Sequence, residues 1–276
     1  MAAAEGRQMS QTPSPRPSTY LFYSSDLGWV LTCYSGKSST MLLLLRLLDP
    51  LPHYSTNMSI DGIALHTIDR ATLRRRIIAV PQDAVFLPDG TSFMVNLDPF
   101  KTASEAECQD ALETVDLWTF VSSRGGLRAG LSGDSLSQGQ KQLFSLARAI
   151  LRRRIRAQAQ RNLAPPTAAE HTSCEKMAKE DVVQQRVDGG VLLLDEVSSS
   201  VDVETDRAMQ RVIQREFEGF TIVMVSHRLE MVMDFDKVIV MDSGSVAEQG
   251  NPRILVETEG SRFRDLWLVG NRAAAS

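Results

Sequence analysis

The amino-acid sequence predicts an α/β fold with a largely parallel β-sheet. Short apolar, β-branched runs recur along the chain, and helical patterns separate them. The run at residues 191–194 is wholly apolar, which is typical of a central parallel strand buried on both faces. A chain of 276 residues with 43% hydrophobic content can also bury a full core. We therefore expect one large domain, or a domain with a subdomain.

The predicted strands and helices alternate in chain order. Apolar and β-branched clusters predict strands at residues 27–32, 77–80, 191–194, 221–226 and 237–241. Apolar side chains at helical spacing predict helices at residues 38–48, 103–121, 140–151 and 205–216. Pro81 follows the strand at 77–80, and because proline has no backbone donor, it limits the pairing of that strand.

Two stretches lack these patterns. Residues 1–19 are rich in Ala, Ser, Pro and Gln, and we expect them to be a disordered leader. Residues 152–189 contain a cluster of five arginines, then Pro165 and Pro166, then a polar and charged run. Two interpretations of this second stretch stay open: a solvated, partly disordered insertion loop, which its composition favours, or a basic docking or phosphoregulated segment.

Composition excludes several classes of protein. A net charge of −4 and a pI near 5.7 argue against a general nucleic-acid binder, which would carry a basic excess. Cys33, Cys108 and Cys174 lie far apart, a pattern typical of reduced thiols in a cytosolic protein. No apolar run approaches the roughly 18 to 20 residues of a membrane helix, and the first twenty residues lack the apolar core of a secretory signal.

The first motif with chemical meaning precedes the leucine-rich helix predicted at 38–48. It consists of Ser35, Gly36, Lys37, Ser38 and Ser39. Backbone N–H groups at such a helix start can converge on phosphates, while a lysine holds the outer phosphates and the next serine offers an oxygen to Mg²⁺. A helix start capped by serines is the alternative, and the leucine-rich helix that follows favours phosphate binding.

Polar side chains follow three of the predicted strands. Asp195 and Glu196 end the run at 191–194, and they could bind Mg²⁺ through water and polarise an attacking water. His227 follows the strand at 221–226 and could donate to a terminal phosphate, and Gln82 follows the strand at 77–80. Taken singly, these are ordinary acidic caps or surface polar residues. Their distance along the chain from a lysine loop favours a nucleotide site.

A second candidate anion-binding helix start begins near residue 137. Ser137, Gln138, Gly139 and Gln140 precede the helix predicted at 140–151. Two such helix starts far apart in the sequence suggest ATP held between two molecules. An ordinary capped helix is the alternative.

In this order, the motifs resemble the nucleotide-binding domain of ATP-binding cassette (ABC) transporters. More narrowly, they resemble the C-terminal cassette of the multidrug-resistance-protein type (subfamily C), through residues 59–74, 78–83, 95–99 and 195–202. The resemblance implies a P-loop NTPase (ABC ATPase) core with a mostly parallel sheet and an inserted helical subdomain. It implies a leader and non-matching segment at 1–34 and an ABC ATPase domain at 35–270, with the helical subdomain at about 84–151 and the insertion at 152–189.

The resemblance also implies ATP and Mg²⁺ as cofactors. It makes Lys37 the phosphate lysine, within a loop that includes Ser35, Gly36 and Ser39, and it makes Ser38, Gln82 and Asp195 the ligands of Mg²⁺. Glu196 becomes the catalytic base and His227 the switch histidine. Ser137, Gly139 and Gln140 would close over ATP on a partner cassette, and Ser200 and Asp202 would lie in a loop that communicates across that dimer.

The implied function is ATP hydrolysis that powers transmembrane export. The implied partners are a second ABC cassette in a head-to-tail dimer and the transmembrane domains of an exporter, with no nucleic acid. The implied location is the cytosolic face of a membrane, as part of a transporter.

Two positions depart from the pattern of the family. Glycines are expected at positions 31 and 34, where this chain has Leu31 and Tyr34. Glycine permits a positive φ and a close approach of the backbone to phosphate, whereas a bulky residue in left-handed geometry costs about 1 kcal/mol or more. The alternative function is therefore a degenerate, non-hydrolysing cassette with a regulatory role or none.

Overall fold

The structure, a computed structural model, describes residues 20–22, 28–32, 37–49, 58–163, 189–197, 201–226 and 229–274. The strands are β1 (Tyr20–Phe22), β2 (Gly28–Thr32), β3 (Met58–Ile60), β4 (Ile63–Ala64), β5 (Ile77–Val80), β6 (Val191–Asp195), β7 (Thr221–Val225), β8 (Lys237–Asp242) and β9 (Ser245–Gly250). The helices are α1 (Lys37–Leu44), α2 (Arg70–Arg76), α3 (Phe93–Leu97), α4 (Glu105–Thr114), α5 (Trp118–Ser123), α6 (Gln138–Leu163), α7 (Val203–Glu216), α8 (Leu229–Val232), α9 (Pro252–Glu257) and α10 (Arg262–Ala274). Among these residues, no helix combines the length and the apolar content needed to cross a bilayer.

A six-stranded sheet forms the centre of the fold, with the strand order β5-β6-β7-β2-β8-β9. The first five strands pair in parallel, and only β9 pairs antiparallel. The α/β fold with a mostly parallel sheet is therefore confirmed. β5 lies at an edge of this sheet, as expected of a strand followed by Pro81.

A smaller sheet in the order β1-β3-β4 accompanies the main sheet. β1 pairs in parallel with β3, and β3 pairs antiparallel with β4 through the turn at Asp61 and Gly62. Both turn residues have positive φ, at 52° and 76°. No strand was predicted at β1, β3 or β4, because each has only two or three residues and gives no readable alternation.

Two clusters of buried side chains cover the two faces of the main sheet. The smaller cluster joins Met41 and Leu44 of α1 to Leu193 of β6 and Val223 of β7. The larger cluster joins the opposite face to the helices that follow β5, and Phe144 and Ile150 of α6 are fully buried in it. α1 is thereby fixed against the central strands.

α6 is twelve residues longer at its C-terminal end than the helix predicted at 140–151. It continues through the arginine cluster, so the interpretation of residues 152–163 as part of an insertion loop is wrong. The extension is held in place because Arg154 pairs with Glu216 of α7 at 3.1 Å and with Asp110 of α4 at 2.6 Å. Residues 164–188 of the predicted insertion lie outside the described residues.

The helix predicted at 103–121 is divided into α4 and α5. Asp116 interrupts it with a φ of +58°, a left-handed conformation that cannot continue an α-helix. Ser104 begins α4 in a capping box, in which its Oγ accepts from the Glu107 N–H and its own N–H donates to the Glu107 carboxylate. Four helices, α3 to α6, lie wholly or partly between residues 84 and 151, and the subdomain at about 84–151 stays a prediction.

One strand of the main sheet precedes the domain boundary predicted at residue 35. β2 lies inside the main sheet, between β7 and β8, and it ends at Thr32. The strand predicted at 27–32 is thus confirmed and belongs to the same folded unit as the following helices. The expected leader at 1–19 lies outside the described residues.

Candidate nucleotide-binding site

Four parallel strands present their carboxyl ends at one edge of the main sheet. Val80 of β5 pairs with Leu194 of β6, and Asp195 pairs with Val225 of β7, which also pairs with Leu31 of β2. The residues that follow these strands therefore meet at this edge. They are Gln82 after β5, Asp195 and Glu196 at the end of β6, Ser226 after β7 and the start of α1, the first helix after β2. In an open α/β sheet, ligands bind outside this edge.

The N-terminus of α1 supplies the part of the site that suits an anion. α1 has eight residues, begins at Lys37 and carries no acidic residue in its first turn. Its unpaired N–H groups and its dipole therefore favour negative charge at this end. Ser38 and Ser39 are exposed there, while Met41 and Leu44 anchor the next turn in the core. This arrangement fits a bound phosphate.

Glu196 has an unusual backbone conformation. Its φ is +49°, and its N–H donates to the Val225 carbonyl at 3.0 Å, so β7 holds the turn that follows β6. Left-handed backbone is uncommon for residues other than glycine, and it is concentrated at functional sites. Asp195 and Glu196 are both half-buried. Together with the Ser38 hydroxyl and the Gln82 amide, the Asp195 carboxylate offers the oxygen ligands that Mg²⁺ prefers.

Gln142 positions the backbone at Gln82, and the sequence analysis missed it. The Gln142 side chain is fully buried, and its Nε2 donates to the Gln82 carbonyl at 2.6 Å. Its Oε1 is buried without a hydrogen-bond partner among the described residues. A polar residue on the apolar face of a predicted helix was the available signal. α6 is thus joined directly to the segment after β5.

Arg148 of α6 fixes the continuation of that segment. Its Nε donates to the Asn96 carbonyl at 2.6 Å, and its Nη1 donates to the Val85 carbonyl. The fully buried Asn96 accepts from the Leu87 N–H at 2.9 Å. These bonds give a structural role to Asn96, which lies in one of the segments that carry the resemblance.

Ser137 and Gln140 form a capping box at the start of α6. The Ser137 Oγ accepts from the Gln140 N–H at 3.2 Å, and the Ser137 N–H donates to the Gln140 Oε1 at 3.0 Å. A side chain at Gly139 would place its Cβ only 3.3 Å from the Val201 Cγ1. The glycine thus allows α6 to approach the segment before α7.

Asp202 is the N-cap residue of α7. Its carboxylate accepts from the Glu204 N–H at 3.0 Å and from the Thr205 N–H at 2.9 Å. Hydrogen bonds from the Thr205 backbone, and then from the Thr205 hydroxyl, lower the pKa of this carboxyl. Within this chain, the Asp202 side chain is engaged in a helix cap at the exposed start of α7.

Several predicted site residues lie outside the described residues. These are Ser35, Gly36, Tyr34, Ser200 and His227, and only the backbone of Lys37 is described. Leu31 is a strand residue of β2 that pairs on both sides. Its backbone is therefore extended, and the left-handed strain expected there is wrong for Leu31.

The comparisons with known proteins decide the family. The family model described as "ABC transporter" matches residues 35–155. The chain is 53% identical over 236 residues to the ABC-type transporter braE of Annulohypoxylon truncatum, which covers 86% of this chain and 15% of that protein. This chain is an ABC transporter ATP-binding domain.

Two further comparisons place this domain more closely. It is 34% identical over 235 residues to ATP-binding cassette sub-family C member 2 of Rattus norvegicus, which covers 83% of this chain and 12% of that protein. In fold, it is similar to a bacterial Atm1-family ABC exporter with ATP bound, at a TM-score of 0.67 and 24% identity, over 88% of this chain and 37% of that one. This chain therefore spans 15% of the length of braE and 12% of the length of sub-family C member 2.

Proposed function

We propose that this ABC domain binds Mg-ATP at the carboxyl edge of the main sheet and hydrolyses it to power transmembrane export. The observation that supports this most strongly is the convergence of four segments at that edge. A helix start suited to phosphate lies there beside the carboxylates of Asp195 and Glu196 and the segment containing Gln82. The parallel pairing of β5, β6, β7 and β2 supports this proposal, although more than 150 residues of sequence separate Lys37 from Asp195.

Each residue at this edge has a proposed role. The ammonium of Lys37 holds the outer phosphates, together with N–H groups of the loop that contains Ser35, Gly36 and Ser39. Ser38, Gln82 and Asp195 hold Mg²⁺, which neutralises phosphate charge when it is bound. Glu196 accepts a proton from the attacking water, and His227 donates a hydrogen bond to the terminal phosphate.

The start of α6 is the proposed contribution to a partner cassette. Because Ser137, Gly139 and Gln140 lie at an exposed or half-buried helix start, they can reach ATP held by a second cassette in a head-to-tail dimer. Asp202 lies beside them through the Gly139–Val201 contact, so both segments belong to one proposed dimer surface.

Exposed apolar side chains support the proposed docking of transmembrane domains. Phe100 is 85% exposed and Val85 is 69% exposed. Arg148 donates to the Val85 carbonyl, and the Phe100 N–H donates to the Asp98 carboxylate at 3.2 Å, so the backbone is fixed at both residues. We place the ABC domain at the cytosolic face of a membrane, as part of a transporter.

The test uses the purified chain, with Mg-ATP binding measured by calorimetry and turnover measured by phosphate release. Lys37→Ala should abolish binding. Glu196→Gln should retain binding and lower turnover by about 10²- to 10⁴-fold, because it removes only the base. Glu204→Gln, on the exposed start of α7, is the matched control and should match the wild type.

The outcomes separate the two candidate functions. Binding that depends on Lys37, with turnover that depends on Glu196, supports the proposal. Binding without turnover in the wild type would favour the non-hydrolysing alternative. ATP binding that survives Lys37→Ala unchanged would refute the assigned phosphate loop.

A further inference from the structure

A polar cavity lies at the opposite edge of the main sheet from the proposed nucleotide site. Its volume is about 190 Å³, several times the roughly 30 Å³ that a water molecule occupies in the liquid. Gly189, shortly before β6, and Phe220, immediately before β7, form one side of it. Because both residues precede their strands, the cavity is at the amino edge and is separate from the nucleotide site.

The other side of the cavity is one face of the C-terminal half of α6. Arg153, Arg156, Gln160 and Arg161 line it. Arg156 lies three residues after Arg153, and Gln160 lies four residues after Arg156. Arg161 lies eight residues after Arg153. All four side chains are therefore on the same face of the helix. Three guanidinium groups and one amide therefore converge on a space that could hold several water molecules.

The guanidinium groups differ in how far their charges are already paired. Arg153 forms an ion pair with Glu216 at 3.3 Å, and Arg161 donates to the Ala157 carbonyl at 3.3 Å. The Nη1 of Arg156 is buried without a hydrogen-bond partner among the described residues. Buried cations are normally paired, because an unpaired buried charge is costly. Arg156 is therefore the group that a ligand would satisfy.

The charges around Arg156 also favour an anion. Burial, and after it repulsion from Arg152 and Arg76, lowers the pKa of the Arg156 guanidinium to about 10. The surroundings thus oppose the positive charge that Arg156 carries at neutral pH. A bound anion would reverse this effect, because it would pair with Arg156 and screen it from the other two arginines.

We propose that this cavity binds a phosphate-type anion, either free phosphate or the phosphate group of a small phosphomonoester. Arg156 is the central ligand, and Arg153 and Arg161 flank it. Guanidinium groups bind phosphate oxygens through paired N–H donors, and a dianion can neutralise more than one of them. The Gln160 amide supplies a further donor. This site does not depend on the function proposed for the nucleotide site.

The experiment is a calorimetric titration of inorganic phosphate into the full 276-residue chain carrying Lys37→Ala, which removes the proposed phosphate lysine at the other edge. Phosphate should bind this chain. Adding Arg156→Gln should weaken binding at least tenfold. Adding Arg211→Gln should leave it unchanged. Arg211 is the matched control, since it is exposed on α7 and donates to the carbonyl four residues before it, as Arg161 does.

Two further variants keep the test decisive if Arg156→Gln does not fold. Arg156→Lys keeps the charge but loses the paired donors, and Arg161→Gln removes a flanking ligand; both should weaken binding, by less than Arg156→Gln. Circular dichroism checks the fold of each variant. Equal phosphate affinity in the parent chain, in Arg156→Lys and in Arg161→Gln would overturn the proposal.

The source of the phosphate and its selectivity are tested in parallel. Glycerol 3-phosphate that binds more tightly than inorganic phosphate would identify a phosphomonoester as the ligand, and weaker binding would identify free phosphate. Chloride at equal ionic strength should not compete. Competition by chloride at the same concentration as phosphate would reduce the cavity to a non-selective counter-ion site and overturn the proposal.

Discussion

Replacing Gln142 with methionine is expected to preserve the stability of the chain while slowing its proposed ATP turnover. The change removes the bond from Nε2 to the Gln82 carbonyl, which costs about 0.5–1.5 kcal/mol. It also removes the buried Oε1, which has no partner among the described residues, and this relieves about 1–3 kcal/mol. Gln82 is exposed, so water can satisfy its carbonyl. The net change ranges from about 0.5 kcal/mol of destabilisation to about 2.5 kcal/mol of stabilisation.

Urea unfolding followed by circular dichroism measures the stability. A gain of 1 kcal/mol raises the midpoint by roughly 0.3–1 M at the usual denaturant dependence. Gln142→Ala is the control, because it also leaves a cavity in the core and should lose about 2–5 kcal/mol. Turnover by Gln142→Met should fall about 10- to 100-fold, since the segment with Gln82 loses its anchor. A loss of more than about 3 kcal/mol in Gln142→Met, or wild-type turnover, would refute the reasoning.

Three other changes test the fold. Gly190→Ala should destabilise the chain by about 1–3 kcal/mol in urea, because its Cβ would lie 2.7 Å from the Phe220 ring and 2.8 Å from a backbone carbonyl; Gly133→Ala, with 3.9 Å of space, is the control. Cys108 is buried, and burial raises the pKa of its thiol from 9.0 to about 11. At pH 8 a disulfide reagent should therefore label this thiol about 100-fold more slowly in the folded chain than in urea. The measurement uses a chain that carries Cys33→Ser and Cys174→Ser. The pKa of Asp202 is lowered below 3.8 in the folded chain, so the stabilising effect of its carboxylate is present above pH 3.8 and is lost as the pH falls through the folded pKa. The urea midpoints of the wild type and Asp202→Asn should therefore converge on acidification. A constant difference between the two midpoints down to pH 2 would contradict this.

The sequence predicted the main strands and the order of the motifs with little error. The strand at 77–80 has the predicted bounds, and β6, β7 and β8 differ from the predicted bounds by one residue each. These strands are continuous apolar runs because they are buried on both faces, which makes them easy to recognise. The position of β2 between β7 and β8 was not predicted, because pairing between strands almost 200 residues apart is set by tertiary packing.

The errors in the helices have local causes. α6 extends through Arg152–Arg154 because ion pairs with Glu216 and Asp110 hold arginines that look solvated in the sequence. The break at Asp116 was missed because a left-handed residue other than glycine gives no strong signal in a single sequence. In the candidate site, Gln142 was missed because a buried side chain bonded to a backbone carbonyl leaves no motif.

α6 is a single long helix that connects two distant parts of the fold. About 27 Å of continuous helix separates its start at Gln138 from Arg156, since each residue adds 1.5 Å. The middle of the helix is anchored in the core, because four of its side chains between these ends are fully buried: Phe144, Leu146, Ala147 and Ile150. Because one continuous helix carries both ends, any tilt of α6 that moves the capping box at Ser137 would also move Arg156.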